Sequence, residues 1–296
     1  MTAPALTIGI TTFNRRPLLQ AVAHSLAQVS GLERARIWVL DDCSQEFDAD
    51  FLQRLFPQAT VFRADRNSGG ADYAMHRLFG HFVQNGSGHL LNLDADLLCS
   101  SGLVDKCLQI IGACSAKAAP ALAAEACRAK AAEPCLYSVF NTASHPVLAE
   151  DGEFLLKRSI GAAGTLWEHG LLADVLQHVP PSRKFDWDWS GYLTRRGVPI
   201  RVTRRSYVQH LGRVGQNSRS FNGMDHGERF DDYAGENLAL FLDHTREGLV
   251  QMIVEQQARI DDQRKAILQI SQVVQQQGQL INALIGQTQS SQITTA

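Results

Sequence analysis

The chain of 296 residues contains no apolar run near the length of about 20 residues that a membrane-spanning helix needs, so any membrane contact would be peripheral. It has no charge excess either: 28 Lys plus Arg stand against 30 Asp plus Glu, for a net charge of −2 and a pI near 6.5. That balance removes a global electrostatic case for nucleic acid. None of the six cysteines, at 43, 99, 107, 114, 127 and 135, forms a Cys-x-x-Cys pair. Zinc ribbons and redox motifs are therefore not supported, and reduced, semi-buried thiols are expected. A basic n-region is missing before the first apolar stretch, which turns polar at Thr11 and Thr12. That stretch reads as a strand rather than a signal peptide, and a cytoplasmic location is expected.

What is present suits a globular α/β protein. With 45% hydrophobic side chains, the chain can bury the core of one large domain or two smaller ones. Apolar runs at 6–12, 36–40, 60–63 and 89–93 alternate with helical patterns. The first helix has Pro17 at its start and Leu18, Leu19, Val22, Leu26 and Val29 on one face; a short one covers 51–56. A third follows Gly69-Gly70 through Tyr73, Met75, Leu78, Phe79 and Phe82. Such alternation predicts βαβ units in a mostly parallel, Rossmann-like sheet with helices on both faces. Beyond it, an Ala-rich stretch at 110–132 reads as helix, 135–140 and 153–158 as strands, and 161–164 as a Gly-rich turn. Residues 186–196 read as a helix that ends at Gly197, ahead of a strand at 198–203.

From about Glu236 the chain becomes Gln-rich, with few glycines and no proline. Ile253, Ile260, Ile267, Val274 and Ile281 recur every seventh residue. In that register Leu249, Ile270 and Leu284 share the second core position with Gln256, Gln263 and Gln277. A strict period of seven predicts a coiled coil over 236–286 and self-association, with the oligomer number open. The polar residues 287–296 are expected to be disordered.

The candidate chemistry sits at strand ends. Leu90, Leu91 and Leu93 run into Asp94-Ala95-Asp96, two carboxylates one residue apart where a buried strand stops. Ligands of open α/β sheets bind outside the carboxyl ends of strands, and hard cations prefer such oxygens. Asp41 and Asp42 end the second strand, where Asp42 either closes an Asx turn or accepts hydrogen bonds from a base or ribose. Asn14, in Thr12-Phe13-Asn14-Arg15, either caps the first helix or lies in a loop that contacts a base. Arg66-Asn67-Ser68-Gly69-Gly70 opens a helix whose N-terminus favours anions, and the glycines permit close approach of a diphosphate. In Lys184-Phe185-Asp186-Trp187-Asp188-Trp189, Asp186 is either a helix cap or a carboxylate whose aromatic neighbours raise its pKa and stack on sugar rings. His210, in Tyr207-Val208-Gln209-His210-Leu211-Gly212, is by itself more often structural. Arg195, Arg196, Arg201, Arg204 and Arg205 form a basic cluster that is either solvated or faces an anionic acceptor.

The order Thr12-Phe13-Asn14-Arg15, Val39-Leu40-Asp41-Asp42-Cys43-Ser44, Arg66-Asn67-Ser68-Gly69-Gly70 and Asp94-Ala95-Asp96 resembles the inverting family-2 glycosyltransferases of the GT-A fold, over residues 6–218. The resemblance implies a nucleoside-diphosphate sugar donor. Thr12, Asn14 and Asp42 would lie near the base, Arg66, Asn67 and Gly70 near ribose or phosphate, and Arg15 within the same nucleotide-sugar site. Asp94 and Ala95 would meet the ribose or the metal shell, and Asp96 the metal. His210 matches a family histidine that completes the metal or diphosphate site, with Mn²⁺ or Mg²⁺ as cofactor.

Asp186 falls at the position of the family's general base although Phe185 replaces the usual Glu before it, and Asp188 is the reserve. Arg213 and residues 215–218 would suit a lid over the donor, although a surface loop suits them equally. Residues 1–98 then form the nucleotide-sugar half and 99–235 the acceptor half. The implied acceptor is a glycan or a lipid-linked glycan at the inner face of a bacterial membrane. Two rivals remain at this point: a sugar nucleotidyltransferase, and a catalytically silent binding module assembled by its coiled coil.

Overall fold

The computed structural model describes residues 5–118, 134–211, 226–230, 232 and 236–293. The chain runs β1 (Leu6–Thr12), α1 (Arg16–Ala27), β2 (Ala35–Asp41), α2 (Ala49–Leu55), β3 (Ala59–Arg63), α3 (Ala71–Asn85), β4 (His89–Asp94), β5 (Leu97–Cys99), α4 (Leu103–Ala118), β6 (Leu136–Ser138), β7 (Val147–Asp151), β8 (Phe154–Lys157), β9 (Thr165–Glu168), α5 (His169–His178), α6 (Phe185–Arg195), β10 (Ile200–Thr203), β11 (Val208–His210) and α7 (Glu236–Ile293). The α/β class expected from the alternation holds. A large sheet has the order β3-β2-β1-β4-β9-β6-β10-β8-β7. Pairing is parallel from β3 through β4, where helices return the chain, and mixed beyond it, where β9 and β8 enter antiparallel to their neighbours.

Side-chain alternation divides this sheet between two cores. Leu6, Ile8 and Ile10 of β1, Ile37 and Val39 of β2, and Leu91 and Leu93 of β4 pack with α1, α2 and α4 through Leu19, Leu26, Leu52 and Val104. Trp38, Leu40 and Leu90 point the other way, onto α3, α5 and α6 through Leu78, Phe79, Leu172, Phe185 and Trp189. Gly9 belongs to this second face: a Cβ there would come within 2.8 Å of Leu78 Cδ2 and 2.9 Å of Leu90 Cδ1, so its absence lets α3 settle on the strand.

The topology fixes the site. From β1 the chain steps outward to β2 and β3, then returns to place β4 on the opposite side of β1. The crevice between β1 and β4 is thus the point where strand order reverses, which is where open α/β sheets bind ligands. In register Thr11 pairs with Asp94 and Thr12 with Asp41, so three strand ends carry their polar residues to one edge.

Residues 1–245 form one compact unit and 246–296 another. In the second, α7 continues as helix to Ile293, past residue 286 where the heptad pattern stops. The expected disorder of 287–296 therefore does not describe 287–293: Gln, Thr and Ser are neutral enough to extend an established helix, and no proline intervenes. Ile253, Ile260, Ile267, Val274 and Ile281 are all exposed along this helix. Part of the Ala-rich stretch lies in α4, and 119–132 lies outside the described residues, as do Arg213 and 215–218. No described helix is long and apolar enough to cross a membrane.

Candidate active site

Asp94 closes β4, Ala95 and Asp96 form the turn after it, and β5 starts at Leu97. β11 pairs antiparallel with β5, His210 opposite Leu97, and the Leu211 N–H donates to the Asp96 carbonyl at 2.8 Å. This small ribbon sets the imidazole of His210 against the two carboxylates. Ligand atoms of Asp94, Asp96 and His210 all lie within 4.8 Å of one another. His210 Nδ1 is 3.5 Å from Asp96 Oδ1 and is buried with no hydrogen-bond partner. An unpartnered imidazole nitrogen beside two carboxylates matches the donor set of a divalent transition-metal site, so the residues present fit Mn²⁺, and Mg²⁺ through their oxygens. Shielding from water and the neighbouring Asp96 push the Asp94 carboxyl well above the ordinary carboxylate range.

Arg15 is the counter-charge on this side, its Nη1 donating to Asp96 Oδ2 at 3.0 Å. Its Nη2 is buried without a partner, as is Thr12 Oγ1 at the end of β1. Both residues stand at the end of β1, and unsatisfied buried groups mark a place where a polar ligand gains most. Asn14 and Arg15 both hold positive φ, 53° and 59°, a conformation costly for residues other than glycine. Asn14 does not cap α1. Its Oδ1 accepts from the N–H groups of Gln45 at 2.8 Å and Glu46 at 3.3 Å, while its own N–H donates to Ser44 Oγ at 2.7 Å. The side chain therefore ties the loop after β1 to the loop after β2.

That second loop is held by carboxylates that are already satisfied. Asp41 closes the loop after β2: its Oδ1 accepts from Ser44 N–H at 3.0 Å and Ser44 Oγ, and its Oδ2 pairs with Arg63. Asp42 is 1% exposed and accepts from Asn67 Nδ2 at 2.9 Å, Ser68 N–H at 2.9 Å, Ser68 Oγ at 2.6 Å and Arg77 at 3.1 Å. Asn67, engaged with Asp42, also accepts the Gly69 N–H at 2.9 Å. Gly69 needs its φ of +95°, and Gly70 precedes α3 without a side-chain cap, leaving the helix start open beside the exposed Arg66. Arg77 escaped the sequence reading because its carboxylate partner Asp42 lies 35 residues away in the chain.

Asp186 stands in the first turn of α6, half-buried, and its carboxyl is pushed up to about 6 by burial and by the charge of Asp72. The charge of Asp186 also adds, as the smallest of several causes, to the rise at Asp94. Asp188 points elsewhere: it is exposed and accepts from Ser182 Oγ. Of the aromatic neighbours, Phe185 and Trp189 are fully buried in the core, and Trp187 alone is exposed, at 58%, with its ring 5.8 Å from His145. The arginine cluster is largely paired: Arg201 with Asp151 at 2.6 Å, Arg204 with Glu150 at 2.7 Å, Arg196 with Asp174 at 3.8 Å. Asp72, in the first turn of α3, is the acidic residue sequence reasoning missed. The signal was an acid two residues after Gly69-Gly70, on a helix start read only for its glycines.

No curated protein matches the chain. Among solved structures, the crystal structure of S. aureus TarS 1-349 is similar with a TM-score of 0.46 and 12% identity, covering 69% of this chain and 59% of that one. The same fragment in complex with UDP gives 0.46 and 15%, with the same shares covered. The longer S. aureus TarS also gives 0.46 and 15%, but only 36% of its length is covered. The chain thus spans about three-fifths or less of these structures. Residues 7–118, from β1 to the end of α4 and including Thr12, Asp42, Asp94 and Asp96, match the family model described as Glycosyl transferase family 2; Asp186 and His210 lie outside those residues.

Proposed function

We propose that this chain is a metal-dependent inverting glycosyltransferase that moves a sugar from a nucleoside-diphosphate sugar to a hydroxyl of a glycan or lipid-linked acceptor. The observation that carries the reading is the convergence of Asp94, Asp96 and the unpartnered His210 Nδ1 at the β1–β4 switch point. Asp94, Asp96 and His210 would hold Mn²⁺ or Mg²⁺, which when bound offsets negative charge on a diphosphate leaving group. Thr12 Oγ1, Arg15 Nη2 and the open start of α3 offer donors to the nucleotide and its phosphates. Asn14, Asp42 and Asn67 serve the donor indirectly, by fixing the two loops that frame it.

Asp186 takes the proton from the acceptor hydroxyl as that oxygen attacks the anomeric carbon. The new carbon–oxygen bond forms opposite the one to the diphosphate, which breaks with its electron pair leaving on the phosphate oxygen. A single displacement inverts the anomeric centre. A carboxyl with a pKa near 6 is a better proton acceptor than an ordinary Asp while still ionised at neutral pH. Asp188, hydrogen-bonded away from the crevice, is the weaker candidate for base.

Incubation with UDP-, GDP- and dTDP-linked sugars and Mn²⁺ tests the reading. Metal-dependent release of a nucleoside diphosphate is expected; pyrophosphate would point to a nucleotidyltransferase, and no release to a silent module. The exposed seven-residue repeat of α7 supports self-association through a coiled coil, which would gather several active sites on a polymeric or membrane-borne acceptor. Sedimentation of the full chain against a truncation at residue 245 reads that directly.

A further inference from the structure

Outside α7, the large apolar side chains left exposed among the described residues are Val147 at 49%, Leu148 at 59% and Trp187 at 58%. They are connected. The ring of Trp187 meets that of His145 at 5.8 Å, and His145 stands two residues before Val147. His145 is itself buried, and its Nδ1 hydrogen-bonds Ser159 Oγ at 3.1 Å, which ties the approach to β7 to the segment after β8. β7 is the outermost strand of the large sheet. Val147 pairs with Lys157 and Ala149 with Leu156, so Leu148 is the extra residue of a bulge. Three exposed apolar side chains joined through one buried histidine make a patch rather than separate exposures.

The free charge around this patch is cationic. Arg183 and Lys184 are exposed just ahead of Trp187, and Arg158 is exposed beside Ser159. Arg195 is exposed in the last turn of α6, where Thr194 Oγ1 donates to the Arg158 carbonyl at 3.2 Å. None of these four cations has a carboxylate partner among the described residues. The acids nearby are engaged: Glu150 with Arg204, Asp151 with Arg201, Asp188 with Ser182 Oγ, and Asp186 with the N–H of Trp187 at 2.8 Å. Unpaired cations around an exposed indole and two aliphatic side chains complement an anionic bilayer, where phosphates take the cations and an indole settles at headgroup depth. A glycan alone would leave Val147 and Leu148 uncovered and would give the four cations no counter-charge.

We propose that this patch docks on an anionic lipid surface, with Trp187, Val147 and Leu148 at headgroup depth and Arg158, Arg183, Lys184 and Arg195 over the phosphates. The assignment rests on the glycosyl-transfer reading only for what the docking serves, not for the docking itself. Trp187 directly follows Asp186, so the surface that holds the bilayer would also bring a lipid-linked hydroxyl to the base.

The full chain is mixed with vesicles of phosphatidylglycerol or of phosphatidylcholine, and flotation is read together with tryptophan emission. Trp38, Trp167 and Trp189 are buried, so a change in emission or in acrylamide quenching reports Trp187. Flotation with phosphatidylglycerol, a blue shift and protection from acrylamide are expected, all fading as salt is raised, with phosphatidylcholine much weaker. The double variant Arg183→Gln, Lys184→Gln should weaken vesicle binding by about 25-fold, at about 5-fold for each cation, and Leu148→Ser by about 10-fold. Leu148→Ser should still release diphosphate from a soluble nucleotide sugar at the wild-type rate. Flotation with unchanged emission would overturn the patch and make another surface, such as α7, the contact. Equal binding to both lipids, or binding unmoved by either variant, would overturn it as well. Protection of Trp187 by methyl pyranosides but not by vesicles would replace the bilayer with a sugar acceptor. Vesicle binding as expected, with no diphosphate released from any nucleotide sugar, would uphold the docking surface and defeat the transferase reading instead.

Discussion

The ends of β2 and β4 both present paired acidic residues at the same edge of the sheet, yet their charges are handled in opposite ways. At the end of β2, Asp41 and Asp42 are each met by an arginine, Arg63 and Arg77, and by serine and asparagine donors that use most of their lone pairs. At the end of β4, Asp96 alone meets an arginine, Arg15, and the pair faces a histidine nitrogen with no hydrogen-bond partner. The first pair is internally compensated and acts as a clamp between loops. The second retains uncompensated negative charge, raises the pKa of Asp94, and has a vacant donor aimed into it. Similar residues at equivalent positions thus hold structure in one place and, on the proposed reading, take a cation in the other, and the difference comes from which positively charged side chains the fold brings within reach.

Substitutions should separate the two pairs cleanly. The largest effect is expected at Asp96→Ala: metal-dependent nucleotide binding, measured by titration calorimetry, should fall below detection. Retained metal dependence would mean the site lies elsewhere. Next is Asp186→Asn, which should leave nucleotide affinity intact and cut kcat by roughly 100-fold or more. In the wild type, kcat should rise with pH through about 6, since Asp186 must lose its proton before it can accept one and burial with Asp72 holds it there. A flat profile between pH 5 and 7 would move the base role away from it. The smallest catalytic effect but the largest stability effect belongs to the compensated pair. Asp42→Ala strands the Ser68, Asn67 and Arg77 donors and should cost about 2–4 kcal/mol in denaturant unfolding. Loss of less than a tenth of that would show the clamp to be dispensable.

How much of this could be read in advance follows from the range of each interaction. The strand ends, the parallel order of the first half and the Asp94–Asp96 pair were legible because apolar alternation and a terminal acidic turn are local signals. His210 had no local signal: its place depends on β5 and β11, strands of three residues each, too short for alternation to register. Asn14 could be read either as a cap or as part of a base-contacting loop because it precedes a helix; the positive φ of Arg15 turns the chain so that Asn14 reaches Gln45 rather than the helix. The segment carrying β9 and α5 passed unread, although Leu171, Leu172 and Val175 mark its buried face. The arginines of the basic cluster showed charge in sequence and their acidic partners only in the fold, through the β7–β8 hairpin. The heptads of α7 predicted a long helix correctly; an isolated helix face does not itself identify its partner.

The central claim is that the uncompensated end of β4, and not the equally acidic end of β2, takes the metal. Crystals grown with Mn²⁺ and a nucleoside diphosphate, measured at the manganese edge, test it most directly. An anomalous peak in contact with Asp96 and His210 is predicted; a peak at Asp41 or Asp42, or none with nucleotide bound, would contradict it.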